Sequence, residues 1–231
     1  MRQIVLDTET TGLNAKLGDR VIELGCIELL SRRVTDHHFH RYVNPERDIE
    51  QGAVQVHGLT REFLADKPRF ADIAAELIDY VRGAQLVIHN ADFDVEFLDR
   101  ELGLCGLGRL SEHAAGVVDT LALARELHPG KRNSLDALCE RYGVSNAHRT
   151  LHGALLDARL LAEVYLAMTR GQDSLTMDFG AADEAARGSL RLEVSKLAVL
   201  RASRAEIEAH EKLLDGIDKE SGGACVWRRL P

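Results

Sequence analysis

The first part of the chain consists of short apolar segments separated by turn residues, a pattern typical of β-strands. A first strand is predicted at residues 2–6, where Ile4, Val5 and Leu6 form a continuous apolar run, and Val21–Leu30 alternates between two faces. Residues 35–43 continue this pattern and end at Asn44-Pro45, which stops a strand. Three strands with no long helix between them predict an antiparallel meander at one side of a sheet.

Helical spacing of the apolar residues dominates from residue 70 onward. Phe70, Ile73, Leu77 and Val81 fall on one helical face, and Gly83 follows where a helix over residues 70–82 would end. Further segments are predicted as strands at 86–88 and 117–118 and as helices at 93–102, 120–127, 134–142 and 154–169. Strands that alternate with helices after a meander indicate an α/β fold, a mixed sheet flanked by helices.

The chain changes character near residue 170. Residues 171–189 are rich in small and acidic residues without an apolar period, so we interpret them as a flexible linker. In residues 190–231, a strand at 196–200, a helix that begins with the capping box Ser203–Glu206, and a strand at 224–227 predict a small β-α-β appendage. About forty residues bury too little apolar surface to be secure alone. We therefore expect three parts, 1–170, 171–189 and 190–231, the last ordered by a partner.

Composition restricts the classes of function. The chain has 231 residues and a net charge of −8, of which residues 190–231 contribute +1 and residues 1–189 contribute −9. This balance argues against a nucleic-acid binder with a broad basic surface, but it permits an enzyme that meets nucleic acid through cations and a partner. Cys26, Cys105, Cys139 and Cys225 form no CxxC pair and are interpreted as reduced thiols. Neither a signal peptide nor a membrane-spanning run is apparent, so we expect a cytoplasmic protein.

Two carboxylates mark the end of the first strand. Asp7 and Glu9 are two residues apart, so their side chains project from the same face of the strand. Two like charges at that spacing require a cation or a proton between them. Thr10, Thr11 and Gly12 follow and predict a tight turn, in the part of such sheets where ligand sites collect.

The segment from His89 to Asp94 contains two aspartates that compete for the role of a metal ligand. We interpret Asp92 as the N-cap of the following helix, because the first helical N–H groups need an acceptor there. Asp94 then lies inside the first turn, near the positive end of the helix. We therefore favour Asp94 as the ligand.

His152 and Asp157 supply another carboxylate and a base. Asp157 lies on a predicted helix among several leucines, where a carboxylate is costly unless a cation meets it. His152 precedes Gly153 in a loop, and its ordinary pKa of about 6.5 suits a general base near neutral pH. Hard oxygen ligands without a cysteine favour Mg²⁺ or Mn²⁺ over zinc. His37, His38 and His40 are interpreted as exposed strand residues, not as a zinc site.

Three segments, in this order, resemble the motifs of the DEDDh 3′–5′ exonucleases. They extend from Leu6 to Gly12, from Val87 to Asp94 and from Leu151 to Asp157. Two longer stretches, residues 129–138 and 161–169, are similar to the epsilon proofreading subunits of bacterial DNA polymerase III. The resemblance is strong over residues 1–170 and moderate in the tail.

The resemblance implies a ribonuclease-H-like fold and the removal of mispaired 3′-terminal nucleotides from DNA as nucleoside 5′-monophosphates. It assigns two Mg²⁺ or Mn²⁺ ions to Asp7, Glu9, Asp94 and Asp157, and general-base catalysis to His152. Substrate contacts are expected from Asp7, Glu9, Leu13, His57, Asn90, Phe93 and Asp157. For three features a structural interpretation stays open: His57 as a loop histidine, Phe93 as a core residue, and Lys131 with Arg132 as a solvated loop instead of a phosphate contact.

The resemblance also implies partners. Residues 190–231, with the single Trp227, are similar to the segment that docks on the alpha subunit of the polymerase. The residues from Gln172 to Met177 resemble a sliding-clamp-binding peptide, with plain linker as the alternative, and a theta-like small subunit is a further expected partner. A ribonuclease that trims RNA 3′ ends and a non-catalytic subunit are the competing hypotheses; the tail argues against the first, and the complete acidic set with His152 against the second.

Overall fold

The computed structural model describes residues 1–146, 151–170, 202–223 and 225–228. The chain divides into two compact units, Met1–Met177 and Asp178–Pro231. Among the described residues, no helix is long and apolar enough to cross a bilayer.

The first unit is built on a five-stranded sheet in the order β3-β2-β1-β4-β5. Its strands are β1 (Arg2–Thr10), β2 (Val21–Leu30), β3 (Arg33–Tyr42), β4 (Gln85–Ile88) and β5 (Gly116–Asp119). Strands β1, β2 and β3 pair antiparallel, whereas β4 pairs parallel with β1 and with β5. The predicted antiparallel meander and mixed sheet are therefore confirmed.

Helices cover both faces of this sheet. They are α1 (Gln51–His57), α2 (Arg61–Leu64), α3 (Phe70–Val81), α4 (Ala91–Leu104), α5 (Thr120–Leu127), α6 (Leu135–Tyr142) and α7 (Ala154–Met168). Helices α3 and α5 to α7 begin and end within one residue of the predicted bounds. Helices α1 and α2 were not predicted, because neither is long enough to display an apolar period.

The sheet separates two apolar cores because successive side chains of β1 point to opposite faces. Ile4 and Leu6 pack with residues of α3 and α4, such as Phe70 and Phe97. Val5 instead packs with α5, α6 and α7 on the other face. Both faces of the central strand are therefore buried, as its continuous apolar run predicts.

A buried ion pair connects α4 to the beginning of β2. Glu101 is 1% exposed, and its carboxylate accepts hydrogen bonds from Nε and Nη2 of Arg20, both at 2.7 Å. It also accepts the backbone N–H of Val21 at 3.2 Å. Because a buried carboxylate is stable only with such partners, this contact fixes the position of α4 against the meander.

Gly25 allows α7 to approach the sheet next to Asp7. Gly25 and Asp7 are paired residues of β2 and β1. A Cβ atom on Gly25 would lie 2.2 Å from the backbone carbon of Ala154, the first residue of α7. Only a glycine therefore permits this contact, which brings the first turn of α7 to the level of Asp7.

The second unit contains α8 (Arg204–Glu220), whose N-terminus has the predicted capping box between Ser203 and Glu206. The predicted strand over residues 224–227 is wrong, since Val226–Arg228 is a 3-10 helix. Gly222 and Gly223 adopt positive φ and turn the chain back after α8, and the backbone N–H of Cys225 donates to Asp218 Oδ1 at 3.1 Å. The described residues here thus include no strand, contrary to the predicted β-α-β form.

Two other predictions lie outside the described residues. They are the strand at 196–200 and the linker at 171–189, which includes the residues from Gln172 to Met177.

We expect Gly25→Ala to lower the free energy of unfolding by about 2 to 4 kcal/mol, because the added methyl group must displace the backbone of Ala154. Urea unfolding measures this change. Gly103→Ala is the matched control, because no atom of the described residues outside the adjacent backbone of the helix lies within 4 Å of a Cβ at that position; it should stabilise the protein by about 0.5 to 1 kcal/mol. Equal stabilities of the two variants would contradict the close approach of α7.

Candidate active site

Five side chains selected from the sequence line a single cleft of about 460 Å³ in the first unit. They are Asp7, Glu9, Asp94, His152 and Asp157. The cleft lies where β1 and β4 end and where α4 and α7 begin. Residues separated by some 150 positions in the chain are thus brought together at one edge of the sheet.

The two layers of the fold each supply part of the cleft. Asp7 and Glu9 follow Val5 on the face of β1 that packs with α7, and Asp157 lies in the first turn of α7. Thr8 points to the opposite face, where its hydroxyl donates to Asp94 Oδ1 at 2.7 Å. Asp94 comes from the first turn of α4. The cleft therefore forms where the two layers meet beyond the end of the strand.

His152 is held between a backbone group and a carboxylate. The backbone N–H of His152 donates to the Val56 carbonyl at 3.1 Å, and its ring Nδ1 lies 3.3 Å from Asp157 Oδ2. The imidazole is about half-exposed, whereas Asp157 is 3% exposed. A carboxylate against one ring nitrogen fixes the orientation of the ring, and the other ring nitrogen is the one that can accept a proton.

The donor set fits a divalent cation. Ligand atoms of Glu9, His152 and Asp157 lie within 4.8 Å of one another, the one such group among the residues that the structure describes. Asp7 and Asp94 line the same cleft and add two more carboxylates. Several buried carboxylates so close together carry a large repulsion, which a cation with oxygen ligands relieves.

Asp94 is the most strongly perturbed of these groups. Burial raises the pKa of its carboxyl to about 7, and the hydrogen bond from Thr8 only partly opposes this effect. At neutral pH the metal-free carboxyl is therefore partly protonated.

The role predicted for Asp92 as the N-cap is wrong. The residue that precedes α4 is Asn90, in the left-handed conformation with φ of 63° and without a side-chain cap. Its backbone N–H donates to Asp119 Oδ1 at 3.1 Å, so Asp119 holds this turn from the neighbouring strand. Asp92 lies exposed in the first turn while Asp94 is buried in the cleft. The preference for Asp94 therefore rests on burial, not on capping.

A second cavity of about 430 Å³ adjoins the cleft and shares Thr8, Glu9, Leu13 and Phe93 with it. Leu13 is 82% exposed at the boundary between them. Phe93 is half-buried, and its ring centroid lies 4.9 Å from that of Phe97. Glu50 and Gly52 also line this second cavity, on the side of α1.

His57 lies in the wall of the second cavity. It is buried, its Nδ1 accepts the backbone N–H of Leu59 at 3.0 Å, and its Nε2 has no hydrogen-bond partner among the described residues. Burial lowers the pKa of His57, although the nearby Thr10 carbonyl acts in the opposite direction. The ring is therefore neutral at physiological pH, with an N–H group that has no acceptor.

Several residues of the cleft were not selected from the sequence as site residues. Ser134, Leu135 and Asp136, at the beginning of α6, form one wall, and His89 forms another part. His89 Nδ1 lies 3.0 Å from the Thr120 hydroxyl, and burial lowers its pKa. The sequence predicted α6 as a helix and placed its beginning in the family-like stretch 129–138, but neither observation indicated proximity to the carboxylates.

The three histidines of β3 lie outside the cleft. His37 and His38 are exposed, as predicted, and His40 Nε2 lies 2.7 Å from Glu23 Oε1. Among the described residues, none of the three belongs to a group that could share a metal ion.

Comparison with known proteins places this geometry in a family. The RNase_T exonuclease model matches residues 4–165. DNA polymerase III subunit epsilon of Salmonella typhimurium is 50% identical over 237 residues, covering 98% of this chain and 97% of that protein. The subunit of the same name from Escherichia coli K12 is 49% identical, with coverages of 98% and 97%.

Solved exonuclease structures share the fold of the first unit. Exonuclease X in complex with 5′ overhanging duplex DNA superimposes with a TM-score of 0.59 at 26% identity, over 74% of this chain and 93% of that chain. Exonuclease I of E. coli in complex with a dA16 oligonucleotide gives 0.65 at 20% identity, over 75% and 42%, which is a likeness of fold alone.

The raised pKa of Asp94 predicts how stability depends on pH and on metal. The folded protein binds this proton more tightly than the unfolded chain, whose aspartates titrate near pH ~3.9. Metal-free protein should therefore lose about 2 to 4 kcal/mol of unfolding free energy between about pH 4 and pH 7. Mn²⁺ can replace the proton, so it should raise Tm more at pH 8 than at pH 5 in thermal unfolding.

Asp94→Asn should remove most of this pH dependence and reduce the stabilisation by Mn²⁺. The matched control is Asp92→Asn, which changes an exposed carboxylate in the same helical turn and should leave both unaltered. If the two variants behave alike, burial of Asp94 does not control the stability of the metal-free cleft.

Proposed function

The chain belongs to the exonuclease family of the DNA polymerase III epsilon subunits, the proofreading 3′–5′ exonucleases, and we propose that its cleft performs this hydrolysis with two divalent cations. In this proposal Asp7, Glu9, Asp94 and Asp157 bind two Mg²⁺ or Mn²⁺ ions, and His152 is the general base. The observation that carries the proposal is the convergence of these five side chains in one cleft.

Each group has a distinct role in the proposed reaction. When bound, the two cations supply charge that stabilises the transferring phosphoryl group and lowers the pKa of the attacking water. His152 accepts the proton of this water, and Asp157, 3.3 Å from its Nδ1, orients the ring. The product is a nucleoside 5′-monophosphate.

The cavity next to the cleft has the character of a site for the terminal nucleotide. Leu13 and Phe93 offer apolar surface at its mouth, suited to an unstacked base. His57 offers an N–H group without an acceptor, suited to an oxygen of the sugar or base. Asn90 lines the cleft itself beside the carboxylates. We propose these four residues as substrate contacts, together with Asp7, Glu9 and Asp157, which face the scissile phosphate.

Selection of mispaired ends follows from the cost of unpairing. A terminal nucleotide must leave its partner to enter the cleft, and this costs least for a mismatched end. The cleft therefore needs no groups that identify the base.

The second unit has features of a polymerase anchor. On α8, Ile207 and Leu213 are exposed apolar residues, and Trp227 is 69% exposed in the following 3-10 helix. Exposed aromatic and aliphatic side chains on a small unit are typical of a binding surface. We propose that residues 190–231 bind the alpha subunit of the polymerase and that residues 171–189 connect this segment to the nuclease domain, residues 1–170.

Further partners belong to the same proposal. In this proposal a sliding clamp binds the residues from Gln172 to Met177, and a theta-like small subunit is a further partner. The proposed site of action is the replisome in the cytoplasm, on the 3′ end of DNA.

An assay with a labelled primer tests the proposed activity. With Mg²⁺ or Mn²⁺, the protein should shorten a DNA primer with a mismatched 3′ end faster than a paired one and release 5′-mononucleotides. Chelator should abolish the activity, and single-stranded RNA of the same sequence should be a poorer substrate than DNA. Equal rates on RNA would favour the RNA-trimming hypothesis, and no metal-dependent hydrolysis of either would refute the proposal.

His152→Ala serves as the matched variant in this assay. Loss of a general base should reduce the rate by about 10²- to 10⁴-fold while Mn²⁺ still raises Tm. His38→Ala, an exposed histidine of β3, should retain full activity. An unchanged rate in His152→Ala would remove this residue from the mechanism.

Deletion of residues 190–231 should separate the two proposed functions. The truncated chain should hydrolyse short oligonucleotides at a rate within about twofold of the full chain, because the cleft lies entirely in the first unit. Its binding to the alpha subunit, measured by size-exclusion chromatography or surface plasmon resonance, should be lost. In the full chain, Trp227→Ala should raise the dissociation constant for the alpha subunit tenfold or more. Loss of an aromatic anchor at an interface typically costs about 2 kcal/mol of binding free energy. Normal binding by the truncated chain would contradict the role assigned to the tail.

A further inference from the structure

A hollow of about 570 Å³ with a basic lining lies beside α6 and the loop that precedes it. Its charged residues are Lys131, Arg132, Arg141 and Glu140, three cations and one anion. Residues 1–189 carry a net charge of −9, so a local excess of positive charge contrasts with the rest of this part of the chain. We call Lys131, Arg132 and Arg141 the basic patch.

The basic patch is close to the cleft. Ser134, Leu135 and Asp136 form a wall of the cleft, and Arg132 precedes Ser134 by two residues. Because consecutive Cα atoms are about 3.8 Å apart, the Cα atoms of Arg132 and Ser134 are separated by at most about 8 Å. An extended strand whose 3′ end occupies the cleft therefore has phosphates within reach of the patch.

Internal contacts hold the loop that carries the patch. The Arg141 guanidinium donates to Asn133 Oδ1 at 3.0 Å and to the Arg132 carbonyl at 2.7 Å. The Lys131 N–H and the Asn133 side chain both donate to the His128 carbonyl, at 3.2 and 3.4 Å. The hydrogen bonds of Arg141 thus hold the loop in one conformation. Because the loop is already ordered, less conformational entropy is lost when a ligand binds.

Lys131 and Arg132 are left to face the solvent. Both side chains are exposed, and neither forms an ion pair with any residue in the described ranges. Two adjacent cations on a braced loop suit a partner with closely spaced negative charges. Lysine and arginine are the side chains that most often contact phosphate oxygens, and such contacts carry no sequence information.

We propose that Lys131 and Arg132 bind backbone phosphates of the substrate strand on the 5′ side of the nucleotide being removed. This inference rests on the proposed function and identifies where the remainder of the strand lies. Contacts restricted to phosphates suit an enzyme that must process every sequence. They also keep the strand in register with the cleft after each nucleotide is released.

The test compares two substrates with the double variant Lys131→Ala/Arg132→Ala in the full chain. One substrate is a single-stranded 12-nucleotide DNA, and the other is the p-nitrophenyl ester of thymidine 5′-monophosphate, which has no phosphates beyond the reacting one. For the 12-mer, we expect KM to rise about tenfold at low salt with kcat within about twofold. For the ester, kcat and KM should both stay unchanged.

Salt provides a second readout. Each phosphate contact to a single strand contributes about 0.7 to the slope of log affinity against log salt. The double variant should lose two such contacts. When salt is raised from 50 to 200 mM, the factor by which kcat/KM on the 12-mer falls should therefore be about sevenfold smaller for the variant than for the unmodified protein.

The matched control is Arg33→Ala/Arg82→Ala, with the same change in net charge. Arg33 pairs with Leu30, which pairs with Arg2 at the beginning of β1, and the Arg82 carbonyl accepts from the Arg2 side chain. Both residues thus lie at the end of the sheet opposite the cleft, and their variant should retain the KM and salt slope of the unmodified protein.

The outcomes separate the two proposals. If the unmodified protein hydrolyses neither substrate, the proposed function fails. If it hydrolyses both but the Lys131 and Arg132 variant matches the control on the 12-mer, the basic patch does not bind the strand. Loss of activity on the ester as well would mean that the loop supports the cleft itself, and would also overturn the phosphate contact.

Discussion

Repulsion among carboxylates that are withheld from water is the constraint on which the nuclease unit depends. Glu9, Asp94 and Asp157 are 9%, 4% and 3% exposed, and Asp7 adjoins them in the same cleft. Such an arrangement opposes folding unless protons or cations are taken up. The remainder of the unit must therefore impose the geometry, which it does with two apolar cores on the faces of one sheet.

The alternation of side chains along β1 explains how two layers contribute to one cleft. Asp7 and Glu9 share the face of Val5 and meet α7, while Thr8 shares the face of Leu6 and meets Asp94 of α4. A shift of β1 by one residue would exchange these faces and separate the carboxylates. The close approach of α7 at Gly25 and the buried pair between Arg20 and Glu101 fix the two helices that complete the cleft. The contacts that pack these two helices against the sheet are thus the same contacts that position the side chains of the cleft.

Local patterns in the sequence were sufficient to predict most helices and strands. They were not sufficient to predict which residues lie close together in the folded chain. Strand Val21–Leu30 and the helix after Ser134 follow from alternation and capping, which are properties of adjacent residues. Residues 224–227 have the composition of a strand, but Val226–Arg228 forms a 3-10 helix, after glycines that turn the chain, and the described residues of the second unit include no strand to pair with. The capping argument that separated Asp92 from Asp94 was wrong, because the two differ in burial, which depends on packing against residues such as Thr8 that are distant in the sequence. For the same reason, the position of Ser134 and Asp136 beside the carboxylates could not be read from their distance along the chain.

The distribution of charge agrees with an enzyme that is brought to its substrate by another protein. Residues 1–189, which include the nuclease unit, carry a net charge of −9 and repel DNA at long range, so a small patch such as Lys131 and Arg132 acts only on a strand already close by. Under the proposed function, attachment through the second unit would replace this missing affinity by an effective concentration in the millimolar range. Strong intrinsic affinity would instead hold paired ends at the cleft as well as mispaired ones. Under the proposed function, weak affinity makes the cost of unpairing the terminal nucleotide the basis of selection, so an acidic nuclease attached to another protein discriminates better than a basic one in free solution.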